Sequence, residues 1–243
     1  MASVGVLPDS PAVDIALIMV ATAFIWVGSG WLETSAEHLS THYGLPAVVQ
    51  GSIVVAVGSS FPELASVVFA ALSGVFEMGV GAIVGSAIFN VLVVPAIAGL
   101  ATDEPVDANR TLVYKEAQFY MIAVSVLIIT FALAVIYYPI GDGSALRGEV
   151  TRTLAVVPIL LYGLYLFIQW QDVSEFDGGD VTGEIDVPRQ WATLAAGLLV
   201  ILISVEQLVG AVDSLRLGLG ISEFLAGVTI IAAATSLPDT LVS

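Results

Sequence analysis

The sequence predicts an all-α, polytopic membrane protein, and three observations carry that prediction. The 243 residues are 58% hydrophobic and only 12% charged, with a mean hydropathy of +0.98, well outside the half-apolar mixture of a soluble domain. Seven apolar stretches are long enough to cross a bilayer core of about 30 Å, for which about 20 helical residues suffice. One segment also recurs without a gap at a constant offset, 220 − 44 = 176 and 239 − 63 = 176.

The stretches are 15–32, 45–72, 79–100, 117–138, 154–170, 191–212 and 221–243. None alternates polar and apolar positions as a transmembrane strand would, and a soluble protein's core accounts for one or two such stretches, not seven. The first has no basic region before it and no clear cleavage site after it, so it predicts a membrane helix and not a signal peptide. His38 and His42 follow it in what reads as a solvated loop, and Gly81 and Gly85 in the third allow close helix packing. The connection 171–190, with Gly178, Gly179, Gly183 and Pro188, reads as a linker too short for a folded domain. Glu206 falls near the predicted end of the sixth stretch, where a carboxylate reaches the interface or pairs with another helix.

The formal net charge is −16, from 22 acidic and 6 basic residues, which excludes nucleic acid as a partner. Acidic clusters such as Asp103, Glu104 and Asp107, or Asp172, Glu175, Asp177 and Asp180, read as hydrated loops of the kind that suits high salt. Without cysteine there is no disulfide and no thiolate metal site. The basic residues do not orient the chain. If the seven stretches alternate, Arg147, Arg152 and Arg216 lie on the side of the N-terminus and Arg110, Lys115 and Arg189 on the other.

The recurring segment carries the chemistry. GLPAVVQGSIVVAVGSSFPELAS from Gly44 realigns on GISEFLAGVTIIAAATSLPDTLVS from Gly220, so that Gly44, Gly51, Ala56, Ser60 and Pro62 recur as Gly220, Gly227, Ala232, Ser236 and Pro238. Five spans separate equivalent points, and an odd number inverts the second copy in the membrane. Inverted repeats with interrupted helices near the midplane are a pattern of secondary transporters. In each copy an acid follows the proline, Glu63 in the first and Asp239 in the second. A carboxylate at mid-membrane costs about 2.5 to 3.5 kcal/mol on insertion scales and marks an ion or proton path.

Proline has no N–H, so Pro62 frees the carbonyl of Gly58 and Pro238 that of Ala234. On a helix Ser59, Ser60 and Ser66 share a face with Glu63, as Thr235 and Ser236 do with Asp239. Ser86 and Asn90, four apart in the third stretch, add a hydroxyl and an amide oxygen. Oxygen donors without His or Cys suit hard cations such as Na⁺ and Ca²⁺. Taken singly, each element has a structural reading, a kink or a helix-bridging hydrogen bond. An acid directly after an intramembrane proline, twice at one offset, favours the functional one.

These motifs resemble the alpha-repeats of the sodium/calcium exchanger family, within the cation/Ca²⁺ exchanger superfamily. Gly58-Ser59-Ser60-Phe61-Pro62-Glu63 and Gly85-Ser86-Ala87-Ile88-Phe89-Asn90 resemble the first repeat, 44–90, and Thr235-Ser236-Leu237-Pro238-Asp239-Thr240 the opening of the second, 220–243. The resemblance implies seven of ten helices in two inverted five-helix repeats, divided as 1–172, an acidic linker 173–188, and 189–243. It also implies a multi-pass protein of the cell membrane with its N-terminus outside, exchanging Na⁺ for Ca²⁺ without enzymatic activity or a cofactor.

Carried over, Glu63 and Asp239 become the carboxylate ligands. Ser59, Ser60, Ser86, Thr235 and Ser236 become hydroxyl ligands, Asn90 lines the site, and the carbonyls of Ala56 and Ala232 complete it. Ser59, Ala87 and Asp239 depart from the prokaryotic threonine, asparagine and glutamate toward the animal-type pattern, which bears on stoichiometry and affinity. The resemblance further predicts three helices and a partner signature beyond Ser243, missing from a fragment or supplied by a separate chain; alone, these residues leave the site open on one side. A Ca²⁺/H⁺ or K⁺-dependent exchanger and a non-transporting membrane subunit are the rival readings. An intramembrane hydrolase fits less well, because no catalytic motif surrounds the two acids.

Overall fold

The computed structural model describes residues 10–45, 56–101, 110–141, 146–173 and 185–242, with side chains for all of these but 56–57, 98, 110–113, 115–116, 169–170, 172–173 and 238–242. The described residues are helical nearly throughout. In chain order they form α1 (Pro11–His42), α2 (Ala56–Ser59), α3 (Phe61–Leu72), α4 (Phe76–Ile88), a π-helical turn (Phe89–Val93), α5 (Val94–Ala101), α6 (Arg110–Tyr137), α7 (Arg152–Val173), α8 (Val187–Leu219), α9 (Glu223–Ala226), a second π turn (Gly227–Ile231) and α10 (Ala232–Val242).

Every apolar stretch read from the sequence is predominantly helical where it is described, the second with a turn at Ser60. Four helical segments are long and apolar enough to cross a membrane by length and composition, Pro11–His42, Phe76–Ala101, Ala117–Tyr137 and Val187–Leu219. Phe61–Leu72, Arg152–Ile168 and Glu223–Leu237 are shorter apolar helices. The protein is therefore a multi-pass, all-α membrane protein.

Local chemistry sets the ends of the long helices. Ser10 caps α1, its Oγ accepting from the Val13 N–H at 3.4 Å, with Pro11 in the first turn. Asp186 caps α8 in the same way, accepting from the Arg189 N–H at 3.2 Å. The two helices begin at the repeat offset, 187 − 11 = 176. Each is followed by a glycine in the left-handed region at that same offset, Gly44 at φ 66° and Gly220 at φ 68°, a conformation that penalises residues with a Cβ. The internal repeat thus begins well before the motif that revealed it, at the N-terminal turns of α1 and α8.

The structure divides into two compact units, 1–106 with 178–243, and 107–177. These units cut across the sequence halves, because the second copy of the repeat packs with the first. In the larger unit α1 and α8 run antiparallel. Ser214 donates to Asp14 Oδ2 at 2.9 Å at one end, Trp191 Nε1 donates to Tyr43 Oη at 3.4 Å at the other, and Gly28 meets Gly197 between them. A Cβ on Gly28 would lie 2.9 Å from Ile201 Cγ1, so glycine is what lets these backbones approach. Ile25, Leu32, Ile201, Val205, Leu208 and Val212 form the core around this contact.

α3 and α4 make a tight hairpin across Gly74, at φ 81°, and α4 packs in parallel on the segment from Glu223. A Cβ on Gly85 would sit 2.6 Å from Ala232 Cβ, and one on Gly81 would strike the Phe224 carbonyl. In the smaller unit α6 and α7 form a second hairpin. It is closed by an isolated bridge between Pro139 and Gly148, with the Ile140 N–H donating to the Arg147 carbonyl at 3.0 Å, and Phe119 lies edge-on to Tyr165.

Three sequence expectations change. His38 and His42 lie within α1 and not in a loop, because capping is deferred to Tyr43 and Gly44. Glu206 is interior to α8, which continues to Leu219; polar residues such as Asp213 and Arg216 lower the hydropathy of the helix without ending it. The linker is shorter than 171–190, since α7 runs to Val173 and α8 starts at Val187.

Candidate cation-binding site

The first copy does break at its motif. α2 ends at Ser59, Ser60 forms a turn at φ −84°, ψ 4°, and α3 begins at Phe61 with Pro62 in its first turn. That is the position where proline's missing N–H and fixed φ suit a helix start. The break places Glu63 in the first turn of α3, where the helix dipole favours a negative group.

Three elements then converge on this carboxylate. Glu63 Oε1 accepts from Ser86 Oγ of α4 at 3.2 Å and from Ser236 Oγ of α10 at 3.0 Å. The two hydroxyls are themselves 2.7 Å apart. Ser86 is 5% exposed and Ser236 fully buried. Glu63 Oε2 is buried and has no hydrogen-bond partner among the described residues. A buried carboxylate oxygen left unpaired is costly unless a cation, a water or a proton meets it. Each hydroxyl can turn its lone pairs toward a cation that Glu63 has attracted.

The other expected ligands are placed unequally. Ser59 is half-buried at the end of α2, whereas Ser60 and Asn90 are exposed, Asn90 within the π turn after α4. Thr235 is buried, but its Oγ1 donates to the carbonyls of Ile231 at 3.1 Å and Ala232 at 3.4 Å. The Ala232 carbonyl is thus partly engaged by its own helix. Ser66, expected on the face of Glu63, donates to the backbone carbonyl of Glu63 at 2.7 Å, the i−3 bond that serine makes inside helices.

The backbones of Ala56 and Asp239 lie in α2 and α10; their side chains fall outside the described residues, so the Asp239 carboxylate is not placed. α10 runs through Pro238 without interruption, and the irregular turn of the second copy lies upstream at Gly227–Ile231. Among the described residues no group of three His, Cys, Asp or Glu side chains converges, so the cluster seen is one carboxylate supported by hydroxyls.

One acid next to the motif escaped the sequence reading. Glu33 is half-buried on α1, and a Cβ on Gly58 would lie 3.9 Å from its Cγ. Its only signal is its place directly after the apolar stretch 15–32. On the same helix the Ser29 hydroxyl is buried and without a partner among the described residues.

The chain is similar to known membrane proteins. The family model described as sodium/calcium exchanger protein matches residues 13–171 and 189–243. An uncharacterized membrane protein of Methanocaldococcus jannaschii is 25% identical over 228 residues, 93% of this chain and 69% of its own length. Human sodium/potassium/calcium exchanger 4 is 38% identical over 99 residues, 39% of this chain and 15% of its own.

Among solved structures, native YfkE superposes with a TM-score of 0.63 at 19% identity, over 96% of this chain and 63% of that one. The sodium-calcium exchanger NCX_Mj soaked with Na⁺ and Sr²⁺ superposes at 0.56 and 20%, over 96% and 71%. At these identities the structural likeness is one of fold. The chain thus spans about two thirds of the length of these full-length matches.

Proposed function

We infer that this chain, which belongs to the sodium/calcium exchanger protein family, exchanges Na⁺ for Ca²⁺ across the membrane by alternating access at the Glu63 site, with its N-terminus outside. Members of this family are transporters and not enzymes. The observation that carries the reading is the Glu63 carboxylate, hydrogen-bonded by Ser86 and Ser236 from two other helices while its Oε2 has no partner among the described residues. Glu63 and Asp239 are the charged ligands. Ser59, Ser60, Ser86, Thr235 and Ser236 supply hydroxyls, Asn90 an amide oxygen, and Ala56 and Ala232 carbonyls.

The mechanism follows from charge. Two bare carboxylates in a dry site repel one another and resist passage through a low dielectric, whereas bound Na⁺ or Ca²⁺ offsets their charge. The protein then reorients readily only when loaded, which couples the two ions. The hydroxyls of Ser86 and Ser236 lie 2.7 Å apart beside Glu63, where both can turn oxygen lone pairs toward a bound cation.

The test is saturable Ca²⁺ binding to the purified chain and its displacement by Na⁺, followed by Na⁺-dependent Ca²⁺ uptake into vesicles from cells expressing the protein. Glu63→Gln is expected to abolish both; retention of either at the wild-type level overturns the assignment. The 38% identity with the human sodium/potassium/calcium exchanger favours one second reading, in which K⁺ accompanies Ca²⁺. Uptake that needs K⁺ on the Ca²⁺ side selects it.

A further inference from the structure

We propose that α1 forms a second station of the cation path, with Glu33 receiving the ion beside Gly58 and Ser29 meeting it at the depth of Glu63. This rests on the functional reading above and adds two residues that neither the repeat motif nor the family match assigns. The chain reverses at Gly44, and beyond the reversal Gly58 returns alongside Leu32 and Glu33, 3.9 Å from each in terms of a Cβ on Gly58. Glu63 lies five residues past Gly58, across the one-residue turn at Ser60, about 7.5 Å further on where that turn keeps a rise near the helical 1.5 Å per residue. Because α1 runs the opposite way, that depth is reached five residues before Glu33, at Gly28 and Ser29.

Two independent observations therefore coincide at one level. The buried oxygens that lack a partner among the described side chains are Ser29 Oγ and Glu63 Oε2. A serine inside a membrane helix ordinarily satisfies itself on the carbonyl three or four residues back, as Ser66, Thr130 and Thr235 do here. Ser29, 1% exposed, does not. Glu33 is one helical turn from Ser29 on the same face, toward the membrane surface. A carboxylate in that place concentrates cations at the mouth of the site and stabilises an ion held at Glu63 through space.

The class of ligand is a hard cation. The feature that separates an electrostatic station from a structural acid is charge dependence. A through-space effect doubles in free energy from a monovalent to a divalent ion, so its fold-change squares. Glu33→Gln is expected to weaken Ca²⁺ binding about tenfold and Na⁺ binding about threefold, the squared relation of one charge acting through space on a divalent and a monovalent ion.

The experiment is isothermal titration of the full chain in detergent with Ca²⁺ and with Na⁺, at low and high ionic strength, on wild type, Glu33→Gln, Glu33→Asp, Ser29→Ala and Glu63→Gln. The Glu33→Gln effect should follow the squared relation, shrink as salt rises and be largely restored by Glu33→Asp. Ser29→Ala should weaken both ions about equally, by about threefold, as loss of one neutral hydrogen-bonding group does.

Wild-type affinity in Glu33→Gln and Ser29→Ala, with binding lost in Glu63→Gln, overturns the station and leaves the site intact. An equal loss for both ions in Glu33→Gln, with a lowered melting temperature, makes Glu33 structural and also overturns it. Absence of Ca²⁺ binding in wild type overturns the functional reading and the station together.

Discussion

Compared residue by residue, the two copies of the repeat begin alike and then part. Each starts at a helix of similar length, α1 or α8, and each turns on a left-handed glycine, Gly44 or Gly220. Sixteen residues further on, the equivalent serines have opposite fates. Ser60 sits exposed in the turn that breaks the first copy, whereas Ser236 is fully buried inside the unbroken α10 and donates to Glu63 of the other copy. The irregular turn of the second copy lies earlier, at Gly227–Ile231. A repeat thus conserves positions in the chain without conserving environments. One copy presents its carboxylate at a helix start, and the other brings a hydroxyl to it from a continuous helix.

The largest effect that would break this picture is steric. α4 reaches the second copy because Gly85 carries no side chain against Val228 and Ala232. Gly85→Ala forces backbones apart and should destabilise the protein by about 3 kcal/mol, the upper end of overpacking costs. Gly99, where a Cβ would meet nothing within 4 Å, should accept the same change within about 0.5 kcal/mol. Thermal unfolding in detergent measures both, and equal losses would mean that the helices do not approach as described.

The second prediction sharpens the comparison between equivalent serines. Ser236→Ala removes a charge-assisted hydrogen bond to a buried carboxylate and should weaken Ca²⁺ binding by about tenfold, from about 1.5 kcal/mol. Ser60→Ala should change it by less than about threefold. Calorimetric titration decides, and equal effects would show that the second copy does not supply the site as its geometry indicates.

Much of this was legible in the sequence, for identifiable reasons. Membrane helices need long apolar stretches, so composition alone located the apolar helices, four of which are long enough to span. The proline and acid pair pointed to Glu63, because proline is favoured in the first turn of a helix, where Pro62 stands; the same pair did not break the second copy, whose helix runs through Pro238. Two kinds of fact were hidden. Helix ends were misplaced at His42 and Glu206, since hydropathy falls before hydrogen bonding stops and only the caps at Tyr43 and Gly220 show where a helix ends. The unequal roles of Ser60 and Ser236 were hidden as well, because alignment reports identity while burial depends on which helix packs alongside. Glu33 was missed for a related reason, its relevance arising from a neighbour 25 residues away.

A smaller difference lies at the hinges. In the second copy Arg216 donates from Nε to Asp213 at 2.7 Å and from Nη2 to Glu223 at 3.2 Å, tying α8 to the helix after Gly220. At the equivalent place in the first copy the Ser40 hydroxyl donates to the Glu37 carbonyl of its own helix at 2.8 Å. Arg216→Gln should therefore destabilise by about 1 kcal/mol, more at low salt than at high. Ser40→Ala should have about half that effect. Unfolding curves at two ionic strengths test this, and a salt-independent Arg216→Gln effect would remove the ion pairs as its cause.

The smallest expected difference is the one that tests the repeat itself. Gly44 and Gly220 occupy nearly the same backbone conformation, φ 66° and 68°, and a Cβ on either would meet nothing within 4 Å. With sterics absent at both, the whole effect of Gly→Ala is the left-handed backbone, about 1 kcal/mol at each position. The two losses should agree within about 0.5 kcal/mol and add in the double variant, since distant sites act independently. A clear inequality would mean that one turn is held by its surroundings and not by its glycine. The likeness of the two copies would then end at sequence, and the inverted halves would owe their matching starts to packing instead of to the same local physics.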